Sequence, residues 1–236
     1  MNDTEYEHRA AIVSACRRMG ALGINQGTSG NISCRWAQGL LITPSGLDYE
    51  TMTPDDIVFM DMKGRHKADQ TPSSEWHFHR DILRARAEVN AVVHAHPVYC
   101  TALAIAHREI PAVHYMIAAA GGPSIRCAPY ATYGTEELSR HALAALEGRL
   151  ACLLANHGLI ACGPSLSKAL WLAAEVETLA RQYIAALQVG EPQILPDDEI
   201  ARVVVKFKTY GPRQKPDHAP AKAKTKEKSK SKAKTK

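Results

Sequence analysis

The sequence predicts a single α/β domain. Short apolar runs of strand character alternate along the chain with segments whose apolar residues recur at helical spacing. Turns rich in Gly, Pro, Ser and Asn separate these runs, and no segment repeats another. The 236 residues, 45% of them hydrophobic, suffice for one sizeable core.

The elements follow in order. Residues 5–22 place Ala11, Ile12, Ala15 and Met19 on one face and end near Gly20 and Gly23, which describes an opening helix. Gly27-Thr28-Ser29-Gly30-Asn31 then forms a tight polar loop before Ile32 and Ser33. Residues 39–43 (GLLIT) form a short strand running into the Pro44-Ser45-Gly46 turn, and residues 57–62 a second strand before the Lys63-Gly64 turn. Thr71-Pro72-Ser73-Ser74 precedes an amphipathic helix over residues 75–86, with hydroxyls where helix N-caps are favoured. A strand over residues 89–93 leads to His94-Ala95-His96-Pro97, followed by a helix over 98–106 and an apolar element over 113–119. Thr135 caps a helix over 135–146, with acidic residues just inside it. Strands at 150–155 and 159–162 bracket Asn156-His157-Gly158, and the longest helix covers 165–187.

The net charge of +5 divides unevenly. From Arg213 onward there are ten basic residues against two acidic ones, which leaves 19 against 22 in the body. The catalytic domain is therefore assigned to 1–212. Residues 213–236 form a Lys-rich tail without large apolar side chains, expected to be disordered and solvated. The mildly acidic, aromatic-poor body gives no support to nucleic-acid binding. Six cysteines without CxxC spacing suit reduced, buried thiols rather than a disulfide frame or metal ligation. With an acidic start and no apolar run near the ~20 residues that span a bilayer, a cytoplasmic protein with no membrane partner is expected.

Chemistry concentrates in the two histidine strings. Side chains two apart on a strand point the same way, so His94 and His96 can grip one ion. Pro97 biases His96 toward extended backbone. A third imidazole from His157 and a carboxylate from Glu75 complete a four-ligand set of the kind zinc accepts, although cobalt, manganese or iron fit the same donors. His77 and His79 form a contrasting pair. On a helix, two residues apart is about 200° of rotation, so they cannot share an ion and are read as surface or packing residues.

Three loops combine small hydroxyl residues with glycine or asparagine: Thr28 to Asn31, Thr43 to Gly46, and Ser73-Ser74 beside Glu75. Each alone is an ordinary turn. Together, with a helix start at Ser73 and Ser74, they suit an anion such as phosphate.

In these motifs the chain resembles the class II aldolase and adducin head family, most closely its L-fuculose phosphate aldolases, from about Arg9 to Gly211. The shared strings, in the family's order, are GTSGNIS, TPSG, SSE, HAHP, PYATYGT, NHG and KFKTYG. The resemblance implies a three-layer α/β/α domain around a central, largely antiparallel sheet, and a homotetramer with active sites between subunits. It implies one Zn2+ per subunit on Glu75, His94, His96 and His157, and phosphate contacts from Gly30, Asn31, Ser45, Gly46, Ser73 and Ser74. It further implies Glu75 as general base and acid, Tyr115 of a neighbouring subunit as proton donor to the aldehyde oxygen, and Tyr210 as orienting the aldehyde half. Tyr133 stands where the fuculose enzymes carry phenylalanine, while Phe207 keeps the other aromatic wall of the aldehyde pocket.

The implied reaction is reversible cleavage of an L-fuculose 1-phosphate-type ketose 1-phosphate to dihydroxyacetone phosphate and a lactaldehyde-like aldehyde. The change at Tyr133 opens an alternative, 5-methylthioribulose 1-phosphate or 5-deoxyribulose 1-phosphate. Ribulose phosphate 4-epimerases of this family carry aspartate in place of Glu75, whereas methylthioribulose 1-phosphate dehydratases keep glutamate. Non-catalytic adducin-like heads lack the full ligand set. A covalent lysine mechanism needs a desolvated lysine, and the body's lysines lie in polar or turn-like contexts.

Overall fold

A computed structural model describes residues 3–207. They form one seven-stranded sheet, in spatial order β3-β2-β1-β4-β7-β6-β5, covered by helices on both faces. The strands are β1 (Asn31–Trp36), β2 (Gly39–Ile42), β3 (Val58–Asp61), β4 (Ala91–Ala95), β5 (Cys127–Ala128), β6 (Ala151–Leu154) and β7 (Gly158–Gly163). Every neighbouring pair is antiparallel except β5 with β6. The expected three-layer, largely antiparallel architecture is what the chain adopts.

One layer contains α1 (Asp3–Ala21), α3 (Val98–Ile105), a 3-10 segment (Tyr115–Ala120), α5 (Leu166–Val189) and α6 (Asp197–Phe207). The other contains α2 (Trp76–Ala85) and α4 (Glu136–Ala145). Sheet and helix periodicities explain which side chain enters which layer. On β4, Ala91, Val93 and Ala95 enter the first core and Val92 the second. All five residues are buried, which is why this central strand reads as an almost unbroken apolar run. His94 is the exception in composition, not in burial.

Helix α2 buries Phe78, His79, Ile82 and Leu83, the i, i+1, i+4, i+5 stripe of an amphipathic helix. Burial of the Phe78, Ile82 and Leu83 side chains contributes about 1.5–3 kcal/mol each. Thr135 caps α4 as expected, its hydroxyl accepting from Leu138 N at 3.2 Å. Ser165 does the same for α5 through Lys168 N at 3.4 Å.

Three elements depart from expectation. The N-cap of α2 is Glu75, without a side-chain cap bond, so the serine hydroxyls do not cap the helix. Ser73 Oγ instead accepts from Glu75 N at 3.3 Å, which tightens the turn leading into it. The two-residue β5 is too short for any period, and its pairing comes from β6. Helix α6 has a stripe of only Ile200 and Val203 buried beneath a charged surface. Residues 208–236, which include Tyr210 and the tail, lie outside the described residues.

Candidate metal centre

Four segments converge at one end of the sheet. His94 ends β4, His96 follows it on the same side, His157 lies in the turn between β6 and β7, and Glu75 starts α2. One ligand atom from each lies within 4.8 Å of the others. His94 Nε2 stands 2.9 Å from His96 Nε2 and 3.2 Å from Glu75 Oε2, and His157 Nε2 stands 3.3 Å from Glu75 Oε1.

Local backbone chemistry holds each member in place. His94 Nδ1 lies 2.8 Å from Leu159 O. A carbonyl only accepts, so Nδ1 carries the hydrogen and the Nε2 lone pair is left facing the cluster. The start of α3, immediately after His96-Pro97, is clamped by Glu177, whose carboxylate accepts from Tyr99 N at 2.9 Å and Cys100 N at 2.8 Å. Asn156 takes the left-handed conformation at φ 54° that turns His157 inward, and its Oδ1 meets His107 Nε2 at 2.6 Å. Asparagine tolerates that conformation better than other non-glycine residues.

The electrostatics suit a cation. Burial, with His94 and His157 beside it, pushes His96 down to about 3. Burial and His94 push His157 down to about 4, so at neutral pH both rings offer lone pairs. Burial raises the Glu75 carboxyl, but the neighbouring His94 and His157 and the Asn31 hydrogen bond more than offset it and hold it below the usual carboxylate range. Glu75 Oε1 is buried and accepts no hydrogen bond among the described residues. A carboxylate and three imidazoles gathered this closely, with one carboxylate oxygen that accepts no hydrogen bond among the described residues, form a donor set that fits a divalent cation.

A cavity of about 380 Å³ opens over the cluster. Its wall includes Gly30, Asn31, Ser45, Gly46, Ser73 and Ser74, so all six expected phosphate contacts meet beside Glu75, His96 and His157. Backbone pairing assembles the wall: Ser73 N donates to Thr43 O at 2.9 Å and Ser45 N to Thr71 O at 3.1 Å, which lays the second loop against the third. The Tyr49 hydroxyl donates to Gly30 O and pins the first. Gly30 itself is required, since a Cβ there would come within 2.7 Å of Asn25 Oδ1 and 2.8 Å of the His94 carbonyl. No lysine or arginine is among the described residues lining the cavity, so an anion would be met by N–H groups, hydroxyls and the start of α2. Tyr133 and Tyr130 stand at the rim.

Tyr115 and Phe207 are not brought to this cavity. They lie on the α5/α6 side, ring centroids 6.5 Å apart, lining a separate groove with Lys168, Trp171 and Val203. Two residues of the candidate site escaped sequence reading. His79, taken as a surface or packing residue, is fully buried and bonded to Asn31 and Ser33. The available signal was its spacing from Glu75, four residues on the same helix, rather than its spacing from His77. The second is Asn25, whose Oδ1 accepts from His96 N at 3.3 Å. No sequence signal marked it.

Comparison with known proteins gives the chain's family. The profile of the class II aldolase and adducin N-terminal domain family matches residues 10–184. The chain is 56% identical over 203 residues to an L-fuculose phosphate aldolase of Escherichia coli (strain K12), covering 86% of this chain and 94% of that protein. It is 55% identical over 213 residues to a 5-methylthioribulose-1-phosphate/5-deoxyribulose-1-phosphate aldolase of Rhodospirillum rubrum, covering 90% and 96%. Among solved structures, an L-fuculose 1-phosphate aldolase superposes with TM-score 0.84 at 40% identity, covering 88% of this chain and 98% of that one.

Proposed function

Since the chain belongs to the class II aldolase and adducin N-terminal domain family, we propose that it is a metal-dependent aldehyde-lyase. It reversibly cleaves a ketose 1-phosphate of the L-fuculose 1-phosphate type to dihydroxyacetone phosphate and a short aldehyde. The observation that carries this reading is the junction of the Glu75/His94/His96/His157 cluster with a serine- and glycine-walled cavity sized for a sugar phosphate.

Glu75, His94, His96 and His157 hold the metal, and three nitrogens with one oxygen favour zinc. When bound, the cation supplies Lewis-acid stabilisation of negative charge on the substrate's carbonyl and hydroxyl oxygens. The loops at Gly30, Asn31, Ser45, Gly46, Ser73 and Ser74 bind the phosphate and fix the sugar's register. In cleavage the C4 hydroxyl gives up its proton as its carbon becomes the aldehyde. The C3–C4 bonding pair passes to the dihydroxyacetone phosphate half; the proton released at the C4 oxygen is relayed through Tyr115 and solvent to the Glu75 carboxylate, which delivers it to C3. Condensation reverses these transfers, with Glu75 as base.

Tyr115 exchanges the proton at the aldehyde oxygen, and Tyr210 and Phe207 help frame the aldehyde end. Tyr115 is half-exposed and remote from its own chain's cavity, which supports an assembly in which a neighbouring subunit supplies it, here a homotetramer. A cytoplasmic setting is supported by six cysteines that are all free. Among the described residues no helix is long and apolar enough to cross a membrane.

Tyr133, exposed at the cavity rim, favours a second substrate reading, a 5-methylthio- or 5-deoxyribulose 1-phosphate. A panel of the three ketose phosphates, assayed for released triose phosphate on protein of measured metal content, tests both. About one zinc per chain and cleavage of at least one sugar are expected. Full metal loading with no cleavage of any of them overturns the reaction class.

A further inference from the structure

A buried hydrogen-bonded chain leads away from Glu75. Glu75 and His79 stand one turn apart at the start of α2 and share a face of it. Asn31, the first residue of β1, lies between them and is 5% exposed. Alternation along β1 sends Ile32 into the opposite core and leaves Asn31 and Ser33 facing α2. Asn31 Nδ2 donates to Glu75 Oε2 at 2.9 Å, Asn31 Oδ1 stands 2.6 Å from His79 Nε2, and Ser33 Oγ stands 2.7 Å from His79 Nδ1.

The direction of every bond follows from the carboxylate. It only accepts, so the Asn31 amide turns its nitrogen to Glu75 and its oxygen to the imidazole. The ring nitrogen facing that oxygen then carries the hydrogen, and the other accepts from the Ser33 hydroxyl. Burial, with His94 nearby, pushes His79 down to about 3, which keeps the ring in the neutral form this pattern needs. A flipped Asn31 amide would set oxygen against oxygen beside Glu75 and displace the carboxylate. The His79 ring, held in place from its far side by Ser33, supplies the partner that keeps the amide oxygen turned away from Glu75.

We propose that His79 is a positioning residue that fixes the Asn31 amide, commits Glu75 Oε2 to it, and thereby leaves Oε1 as the oxygen that handles the substrate's proton. Oε1 is the atom that accepts no hydrogen bond among the described residues. Asn31 also belongs to the loop assigned to phosphate, and its backbone pairs with His94. One residue thus ties the phosphate cradle, the metal-ligand strand and the acid-base carboxylate together. The role rests on the aldolase reading.

The test is a double-mutant cycle on kcat with His79→Leu and Asn31→Ala in the full-length, metal-loaded protein, with metal content and KM measured for all four forms. His79→Leu is expected to lower kcat about 10- to 100-fold with metal content unchanged, and to leave KM within about threefold. Once Asn31 is alanine, it should add less than about twofold. Additive losses, or loss of metal in step with kcat, overturn the proposal.

A second measurement needs neither turnover nor a variant. Nitrogen-15 spectra of the metal-free protein at neutral pH should show the His79 ring as the Nε2–H tautomer, and an Nδ1–H tautomer or an imidazolium overturns the proposal. If wild-type protein releases no triose phosphate, the aldolase reading fails while the spectrum still reports on the relay. If wild type turns over and the cycle is additive, the positioning role alone fails.

Discussion

The cavity over Glu75, His94, His96 and His157 and the groove around Tyr115 and Phe207 differ in how much chemistry one chain contains. In the first, four ligands and three loops close within a single chain and are locked by hydrogen bonds to buried backbone. In the second, Tyr115 is 50% exposed and lies on the opposite helical layer from α2. One chain therefore builds the metal and phosphate half of the proposed site to completion. The residues proposed for the aldehyde half stand apart on a separate, outward-facing groove.

Substitutions separate the two regions in a definite order. His94→Ala removes a proposed ligand whose ring is fixed by the Leu159 carbonyl and is expected to abolish turnover together with bound metal, measured by elemental analysis on the purified variant. Glu75→Gln should lower kcat about 10²- to 10⁴-fold while keeping much of the metal, since three imidazoles remain. A loss of metal equal to that of His94→Ala would remove its separate catalytic role. Tyr115→Phe should cost about 10²-fold in kcat with metal content unchanged. Assemblies formed from Glu75→Gln and Tyr115→Phe chains together should exceed the activity of either parent. If mixing restores nothing, Tyr115 does not act across an interface.

Acid should also discriminate between the regions. His79, His96 and His157 take values of about 3, 3 and 4 in the folded chain, below the ordinary 6.5 that applies when unfolded. These depressed values contribute stability that is complete above pH 6.5 and is lost as pH falls toward 4 and 3, because the unfolded chain binds protons the folded one refuses. The melting temperature of the metal-free protein should therefore fall across that window, with Tyr115→Phe showing the same slope. A flat profile would mean that the rings are not held neutral. The smallest effect is expected from deleting residues 213–236, less than about twofold in kcat, because a Lys-rich sequence without large apolar side chains has little to contribute to a core. A large loss would place the tail in the machinery.

The same division governs what the sequence revealed. His94 and His96 were readable because a strand's period of two is strict and Pro97 holds the backbone extended. The three loops were readable by their company, since one of them, Ser73-Ser74, stands directly before a metal-type carboxylate. Tyr115, Phe207 and Tyr210 came from the family resemblance alone. No periodicity or spacing marked any of the three. His79, read as surface or packing, is buried; its hydrogen bonds were not legible because its partners, Asn31 and Ser33, arrive from β1 across more than forty residues of sequence. Helix α6 hid behind its charged surface, and β5 owes its strand character to β6. In each of these cases the deciding interaction is tertiary.

The turn that carries His157 also sets a schedule. It lies between the sixth and seventh strands, about eighty residues beyond Glu75 in the chain, and its ring enters the cluster once the β6–β7 hairpin has docked beside β4. A nascent polypeptide still short of that hairpin displays three donors at most. A complete set of four donors therefore exists only in a chain whose last hairpin has joined the sheet, so full-strength retention of an ion would report on finished assembly.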